Sequence, residues 1–167
     1  MLLKIFGCLL TSIGGAGIGI SKAMKCKRRE MELKELHRIL SMIKMERELT
    51  RRPMEDVFES ISQKCEQKYQ TWLLKMAKEL REKRNPEFKE IWIQNTTIFQ
   101  KESLLSVDEL EELKRLGTQL EYEACLEVYL YRLHSHIEEV EKEGQVKRKL
   151  YQSLGIMGGI FLSVLLL

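Results

Sequence analysis

Two apolar stretches decide the fold: residues 2–20, LLKIFGCLLTSIGGAGIGI, and residues 150–167, LYQSLGIMGGIFLSVLLL. As α-helices they would each reach about 27–28 Å at ~1.5 Å per residue, close to the ~30 Å hydrocarbon thickness of a bilayer. We therefore predict transmembrane helices at residues 1–21 and 150–167. Residues 22–149 between them are predicted to form one domain, whose character the rest of the sequence decides.

Basic residues border both apolar stretches on their inner sides. They are Lys22, Lys25, Lys27, Arg28 and Arg29 after the first stretch, and Lys147, Arg148 and Lys149 before the second. On the outer side there is only Lys4. Basic flanks tend to stay in the cytoplasm, so we predict a cytoplasmic central domain and assign these eight residues as anchors for anionic lipid headgroups.

Each apolar stretch has a rival interpretation. The first could be a cleaved signal peptide, but its charge follows the apolar region and Ser21-Lys22-Ala23-Met24 is a poor cleavage site. The second could be a buried core helix, although it carries no charge and ends on Val-Leu-Leu-Leu. The two-pass membrane topology is the interpretation that we carry forward.

The net charge of +3 conceals an acidic middle. All 25 acidic residues lie between Glu30 and Glu143 with 19 basic ones, so this segment carries about −6. Such a surface repels a phosphate backbone, and nucleic-acid binding is therefore excluded as the main role. The four cysteines (Cys8, Cys26, Cys65 and Cys125) form no C-x-x-C pair and are expected to be reduced thiols.

Apolar residues in the middle recur at helical spacing almost throughout, which predicts an all-α antiparallel bundle. We expect helices over Leu33–Ile43, over Met54–Leu80 as one helix of about seven turns, over Phe88–Phe99, over Leu110–Leu116 and over Leu126–Val140. Pro53 and Asn85-Pro86 suit helix starts, Ser106 and Glu109 have the spacing of a capping box, and Gly117 suits a C-terminal cap. The stripes nearest the membrane predict a coiled-coil-like seam between the first and last helices.

Small residues at four-residue spacing occur in both apolar stretches, at Gly15 and Gly19 and at Gly155 and Gly159. This spacing lets helix backbones approach closely, so we predict that these glycines pack membrane helices together. The alternative is that glycine is simply common in membrane helices.

No group of residues indicates an enzyme, a metal site or a cofactor site. The segment Gly14–Ser21 has the glycine spacing of a phosphate-binding loop, but Ile20 stands where that loop needs lysine. His134 and His136 lie about 200° apart around a helix and cannot bind one metal from one face, while His37 stands alone. We therefore predict no catalytic residues, no cofactor and no metal.

The tail resembles a known family signature. Residues 149–159, KLYQSLGIMGG, resemble the K-L-Y-x-S-L-G-x-x-G-G motif of the stage III sporulation protein AB family, through Leu150, Tyr151, Ser153, Leu154, Gly155, Gly158 and Gly159. Leu113–Gly117 is similar to the family's L-x-x-L-G element, Pro53–Phe58 to its turn after the first helix, and Trp92 falls at its tryptophan position. Arg52, Asp56, Val57 and Glu121 depart from the usual residues.

The resemblance implies a role in endospore formation. It implies a secretion-like complex in the mother-cell membrane facing the forespore, with a bundle similar to the platform proteins of type II secretion and type IV pili. The implied partners are other sporulation channel proteins, a cytoplasmic secretion-type ATPase and, as in other platforms, further copies of the chain. Candidate partner surfaces are Arg51 and Arg52 in the loop from Thr50 to Pro53, and the acidic residues Asp108, Glu109, Glu111 and Glu112, although such charges also suit a plain solvated exterior.

Two other function classes remain open. One is a passive membrane scaffold that organises partners without an ATPase. The other is a membrane regulator that senses a small ligand inside the bundle, against which a fully packed core without converging polar groups would argue.

Overall fold

The structure, a computed structural model, describes residues 2–82, 87–118 and 123–166, without the side chains of residues 2–19, 123, 152, 155, 156, 159, 160 and 162–166. This part of the chain is all α and contains no strand, which confirms the all-α part of the predicted fold class. Its helices are α1 (Leu2–Thr50), α2 (Met54–Ser62), α3 (Gln67–Glu82), α4 (Phe88–Phe99), α5 (Val107–Gly117) and α6 (Glu123–Leu166).

The chain divides into two compact units. Residues 32–136 form the first, which we call the bundle, and residues 1–31 with 137–167 form the second, which we call the two-helix unit. The long helices α1 and α6 contribute to both. The predicted boundaries at residues 21/22 and 149/150 differ from this division, which places the basic flanks in the two-helix unit.

The bundle is built around fully buried apolar side chains from all of its helices. In α1 the buried positions are Leu33, Leu36, Ile39, Leu40 and Ile43. In α2 to α6 they include Val57, Phe58, Ile61, Tyr69, Leu73, Met76, Ile91, Trp92, Leu110, Leu113 and Leu126. These positions follow the 3–4 spacing of the sequence, because a helix that packs on one side buries one stripe.

The single helix predicted over Met54–Leu80 is wrong. α2 ends at Ser62 and α3 begins at Gln67, with a tight turn between them. In this turn the backbone N–H of Lys64 donates to Ile61 O at 2.9 Å, and that of Cys65 donates to Ser62 O at 3.3 Å. The intervening residues are mostly polar, and a turn there lets the apolar stripes of α2 and α3 pack against each other.

The predicted helix ends around α4 and α5 have different outcomes. The capping box is confirmed, because Ser106 Oγ accepts from Glu109 N at 3.3 Å and the Glu109 carboxylate accepts from Ser106 N at 2.6 Å. α5 ends at Gly117 as predicted, but its C-cap is Thr118 in a right-handed conformation. Asn85-Pro86 lies outside the described residues.

In the two-helix unit, α1 and α6 lie side by side. Arg148 of α6 bonds to Glu30 of α1, and the Lys22 ammonium lies 5.7 Å from the centroid of the Tyr151 ring. A supercoiled seam between them stays a prediction. Among the described residues, no helix is both long and apolar enough to cross a membrane. The side chains of both predicted membrane segments lie largely outside the described part.

Candidate functional surfaces

Three residues of the sequence motifs, Trp92, Leu113 and Gly117, contact one another inside the bundle. The indole N–H of Trp92 donates to the backbone oxygen of Leu113 at 2.7 Å, which fixes the ring against α5. A Cβ at Gly117 would lie 2.0 Å from Cδ1 of that ring, far inside contact distance. Glycine at position 117 is therefore required by the close approach of Trp92, and its interpretation as the C-terminal cap is wrong because the C-cap is Thr118.

Other aromatic side chains surround the Trp92 ring. Trp92 lies 5.2 Å, centroid to centroid, from Trp72 in an edge-on arrangement, and 5.8 and 6.4 Å from Phe88 and Phe58. Such offset and edge-on pairs contribute about 0.5–1.5 kcal/mol each beyond the area that they bury. The tryptophan and the L-x-x-L-G element are thus structural residues that hold α4 on α5.

A buried glutamate in the bundle holds the segment between α4 and α5. The Glu32 carboxylate accepts from the Ser103 hydroxyl at 2.7 Å and from the Leu104 backbone N–H at 3.1 Å, and Lys68 pairs with it at 2.9 Å. The Glu32 side chain is 3 % exposed. The Tyr69 hydroxyl donates to the backbone oxygen of Glu32 at 3.1 Å. The pKa of Tyr69 is raised mainly by burial and, to a smaller extent, by the negative charge of the Glu32 carboxylate.

A second buried glutamate lies at the basic flanks. Glu30, 1 % exposed in its side chain, accepts from Lys27 at 2.7 Å and from Arg148 at 2.8 Å. Two of the eight predicted headgroup anchors are therefore engaged by this carboxylate. Two others also have partners within the chain, because Lys147 pairs with Glu143 at 2.6 Å and Lys22 lies over Tyr151. Lys25, Arg28 and Lys149 are exposed, and Arg29 is half-buried.

The tail motif places several apolar side chains on the outside of α6. Leu150 is 54 % exposed and Leu154 is 60 % exposed, and Ser153 is exposed beside them. A Cβ at Gly158 would meet no described atom within 4 Å. For the predicted packing positions Gly15, Gly19, Gly155 and Gly159, the structure describes the helical backbone and not its surroundings.

The predicted partner surfaces are exposed with one exception. Asp108, Glu111 and Glu112 face solvent on α5, whereas Glu109 is buried in the capping box and its carboxylate contacts His136 at 2.8 Å. Arg51 and Arg52 are exposed in the turn between α1 and α2. Arg51 adopts a positive φ of 50°, an unfavourable conformation for a side chain with Cβ, and it ends α1 abruptly.

The bundle pairs histidines that the sequence keeps 97 residues apart. The rings of His37 and His134 lie 5.6 Å apart, so His37 does not stand alone as we inferred. Burial, and then the neighbouring His134, lower the pKa of His37. Local sequence spacing does not predict such a pair, because the contact depends on how α1 and α6 pack in the bundle. Within the described residues, no group of His, Cys, Asp and Glu has a metal-binding arrangement.

Comparison with known proteins identifies the family of the chain. No curated protein and no solved structure matches the chain significantly. The family described as Stage III sporulation protein AB matches residues 4–167, which is nearly the whole chain. The chain belongs to the stage III sporulation protein AB family, and its role is in sporulation.

Proposed function

We propose that this chain is a non-catalytic platform of a secretion-like sporulation complex, held in the mother-cell membrane by the ends of α1 and α6. The bundle faces the cytoplasm and docks a secretion-type ATPase, while the two-helix unit meets other channel proteins or further copies of the chain. Beyond the sporulation role, the proposal is supported by what the family resemblance implies, by the exposed apolar stripe of the two-helix unit and by the acidic face of the bundle.

The observation that carries the proposal is the apolar exterior of the two-helix unit. On α6, one helical stripe of exposed side chains consists of Val146, Leu150, Leu154, Met157 and Phe161, between 54 and 67 % exposed. On α1, Met24 and Met31 are 50 and 56 % exposed. A stripe of this length on a soluble helix pair is unfavourable, so lipid or partner helices are expected to cover it.

The bundle supplies the candidate docking surface. Asp108, Glu111 and Glu112 form an exposed acidic face on α5, which suits a basic surface of the ATPase. Lys114 pairs with Glu111 at 3.0 Å, so the face is not uniformly acidic. Glu109 is removed from this set because its carboxylate is committed inside the bundle.

Co-purification tests the platform directly. The full-length tagged chain is purified in detergent from sporulating cells, and bound proteins are identified by mass spectrometry. The triple variant Asp108→Lys, Glu111→Lys, Glu112→Lys should lose the ATPase and keep the membrane partners. Glu82→Lys, Glu87→Lys, Glu90→Lys is the matched control, because it makes the same charge change at other exposed acidic positions. Membrane partners without any ATPase from the wild type would favour the passive scaffold.

Thiol labelling tests the topology. Cys65 and Cys125 are free, half-buried thiols in the bundle. A membrane-impermeant maleimide should leave both unlabelled in intact cells and label them after permeabilisation. Burial raises the pKa of Cys65, so its labelling after permeabilisation should be slower at neutral pH than that of an exposed thiol. If Cys65 and Cys125 were labelled in intact cells to the same extent as after permeabilisation, the bundle would not be cytoplasmic.

A further inference from the structure

A cleft between α5 and the start of α6 has no role in the proposed function, although one of its residues, Glu112, belongs to the acidic face. Its volume is about 470 Å³, within the ~300–1,000 Å³ of common ligand sites. Its charged lining residues are Glu112 and Arg115 of α5 and Arg132 of α6, and all three are exposed to solvent. The remaining lining residues are Leu116, Ala124, Cys125, Val128 and Tyr129.

The charges of this cleft are not neutralised by neighbouring side chains. Within the described residues, the guanidinium groups of Arg115 and Arg132 make no ion pair and no hydrogen bond, and the Glu112 carboxylate makes none either. The charge of Glu112 reaches the cleft, because this carboxylate raises the pKa of Tyr129 after the larger effect of burial. The lining thus carries two positive charges and one negative charge, whereas the middle of the chain as a whole is acidic.

This balance of charges selects a single carboxylate as the ligand group. A guanidinium presents a planar set of N–H donors that matches the two oxygens of a carboxylate. An ammonium would be attracted by Glu112 but repelled by both arginines, and a neutral carboxamide would gain no charge compensation. A dianionic phosphate would exceed the net positive charge of the lining and would be repelled by Glu112.

Apolar surface beside the charges indicates that a polypeptide carries the carboxylate. Val128 lines the cleft and is 50 % exposed. The exposed surface continues on the same face of α6 to Tyr131, which lies three residues further on, is 75 % exposed and does not line the cleft. A small free anion could fill the cleft but would leave Tyr131 uncovered, whereas a polypeptide can cover both. Arginine and tyrosine are also enriched in protein interfaces.

We propose that the cleft between α5 and α6 binds an aspartate or glutamate side chain of a partner protein, carried on a segment with apolar neighbours. Arg115 and Arg132 donate to the carboxylate, and the apolar neighbours of that residue pack on Val128 and Tyr131. This surface prefers an acidic partner, whereas the acidic face of α5 prefers a basic one. The proposal goes beyond the proposed function and holds whether or not the partner is an ATPase.

Cys125 provides a local reporter for the test. It lines the cleft, whereas Cys65 lies in the turn between α2 and α3 and does not line it. The whole chain in a non-ionic detergent is alkylated with N-ethylmaleimide at increasing concentrations of acetyl-Ala-Leu-Glu-Leu-Ala-amide, and each cysteine is followed by mass spectrometry. The peptide should slow the labelling of Cys125 saturably and leave that of Cys65 unchanged. The same peptide with glutamine instead of glutamate should require a concentration about tenfold higher, because hydrogen bonds to charged groups are the stronger ones.

A matched pair of variants assigns the effect to the arginines. Arg115→Gln, Arg132→Gln should abolish protection of Cys125 by the glutamate peptide. Lys75→Gln, Lys89→Gln should keep the protection, because it removes two positive charges at exposed positions outside the cleft. Circular dichroism checks that both variants fold. If the arginine variant does not fold, the comparison of the two peptides on the wild type decides alone.

Four results would overturn the proposal. They are absence of protection in the wild type, equal protection by the two peptides, protection that persists in the arginine variant, and equal protection by inorganic phosphate or free hexanoate. The last result would identify a small anion as the ligand. Because the test uses only the purified chain and defined probes, its failure would leave the docking of an ATPase on the acidic face unaffected.

Discussion

The bundle and the two-helix unit each bury one glutamate of α1, and the two carboxylates have different partners. In the bundle, Glu32 bonds to a hydroxyl, a backbone N–H and one lysine that is 26 % exposed in its side chain. In the two-helix unit, Glu30 bonds to two cations, Lys27 and Arg148, whose side chains are 49 and 21 % exposed. The Glu32 contacts stabilise an irregular segment within a core, whereas the Glu30 contacts link two helices that also expose apolar side chains.

The difference indicates how each region reaches stability. The bundle has a buried aromatic cluster, and its own helices cover its core side chains. The two-helix unit exposes Met24, Met31, Val146, Leu150 and Leu154. The ion pair between Glu30 and Arg148 joins α1 to α6 but does not cover these apolar side chains. We infer that the bundle is the autonomous folding unit, and that the two-helix unit depends on a membrane or on partners for its full stability.

Replacement of Glu32 should have the largest effect. Glu32→Ala leaves the Leu104 N–H and the Lys68 ammonium without their acceptor, which should lower the free energy of unfolding of the bundle by about 3–5 kcal/mol. Both tryptophans lie in the bundle, so denaturant unfolding followed by tryptophan fluorescence reports on this unit alone. Glu127→Ala is the control, because its exposed pair with Lys44 at 3.5 Å should contribute less than about 1 kcal/mol. Equal losses in both variants would remove the special role of Glu32.

Gly117→Ala should have the second largest effect. It tests packing in the bundle without changing any charge. The new Cβ would lie 2.0 Å from a ring that its bond to Leu113 holds in place, so we expect a loss of about 3 kcal/mol, at the upper end for overpacking. The same fluorescence measurement applies. Gly144→Ala in the two-helix unit places a Cβ where no described atom lies within 4 Å, so it should leave the fluorescence-detected unfolding of the bundle unchanged. A neutral Gly117→Ala would show that the Trp92 ring moves freely.

Glu30→Ala should have a smaller effect, confined to the other region. Lys27 and Arg148 are partly exposed and can turn to water, so the loss should be about 1–2 kcal/mol. Hydrogen–deuterium exchange of residues 22–31 and 143–151 should become faster, while tryptophan fluorescence of the bundle stays unchanged. Lys147→Ala, which removes only an exposed pair, should alter exchange little. Unfolding of the bundle by Glu30→Ala would contradict the separation of the two regions.

The same comparison shows which features can be predicted from the sequence. The 3–4 spacing located most helices and the capping box of α5, because these depend on neighbours within one or two turns. The turn at Gln63–Glu66 was missed because the apolar stripe continues on both sides of it. The bonds of Glu30 to Arg148 and of Glu32 to Ser103 join residues 118 and 71 positions apart, and local spacing carries no information about them.

Gly117 and Glu109 illustrate a different limit. Each was assigned a role that its residue type commonly has, a helix cap and an exposed acidic surface. In the structure Gly117 makes room for Trp92 of another helix, and Glu109 is buried by the capping box and by His136. The capping box of Glu109 is local and was predicted, but Trp92 and His136 lie on other helices, 25 and 27 positions away, and local spacing carries no information about them.

The dependence of bundle stability on pH should be the smallest effect. Burial and His134 lower the pKa of His37 below its ordinary value of 6.5, so the unfolded chain binds this proton more tightly than the folded one. The contribution of His37 is therefore favourable above about pH 7, and stability falls as the pH drops through 6.5 towards the lowered pKa. Denaturant unfolding at about pH 8 and about pH 5.5 should show a smaller loss for His37→Gln than for the wild type. The difference between the two proteins isolates the contribution of His37, and an equal loss in both would mean that protonation of His37 does not oppose folding.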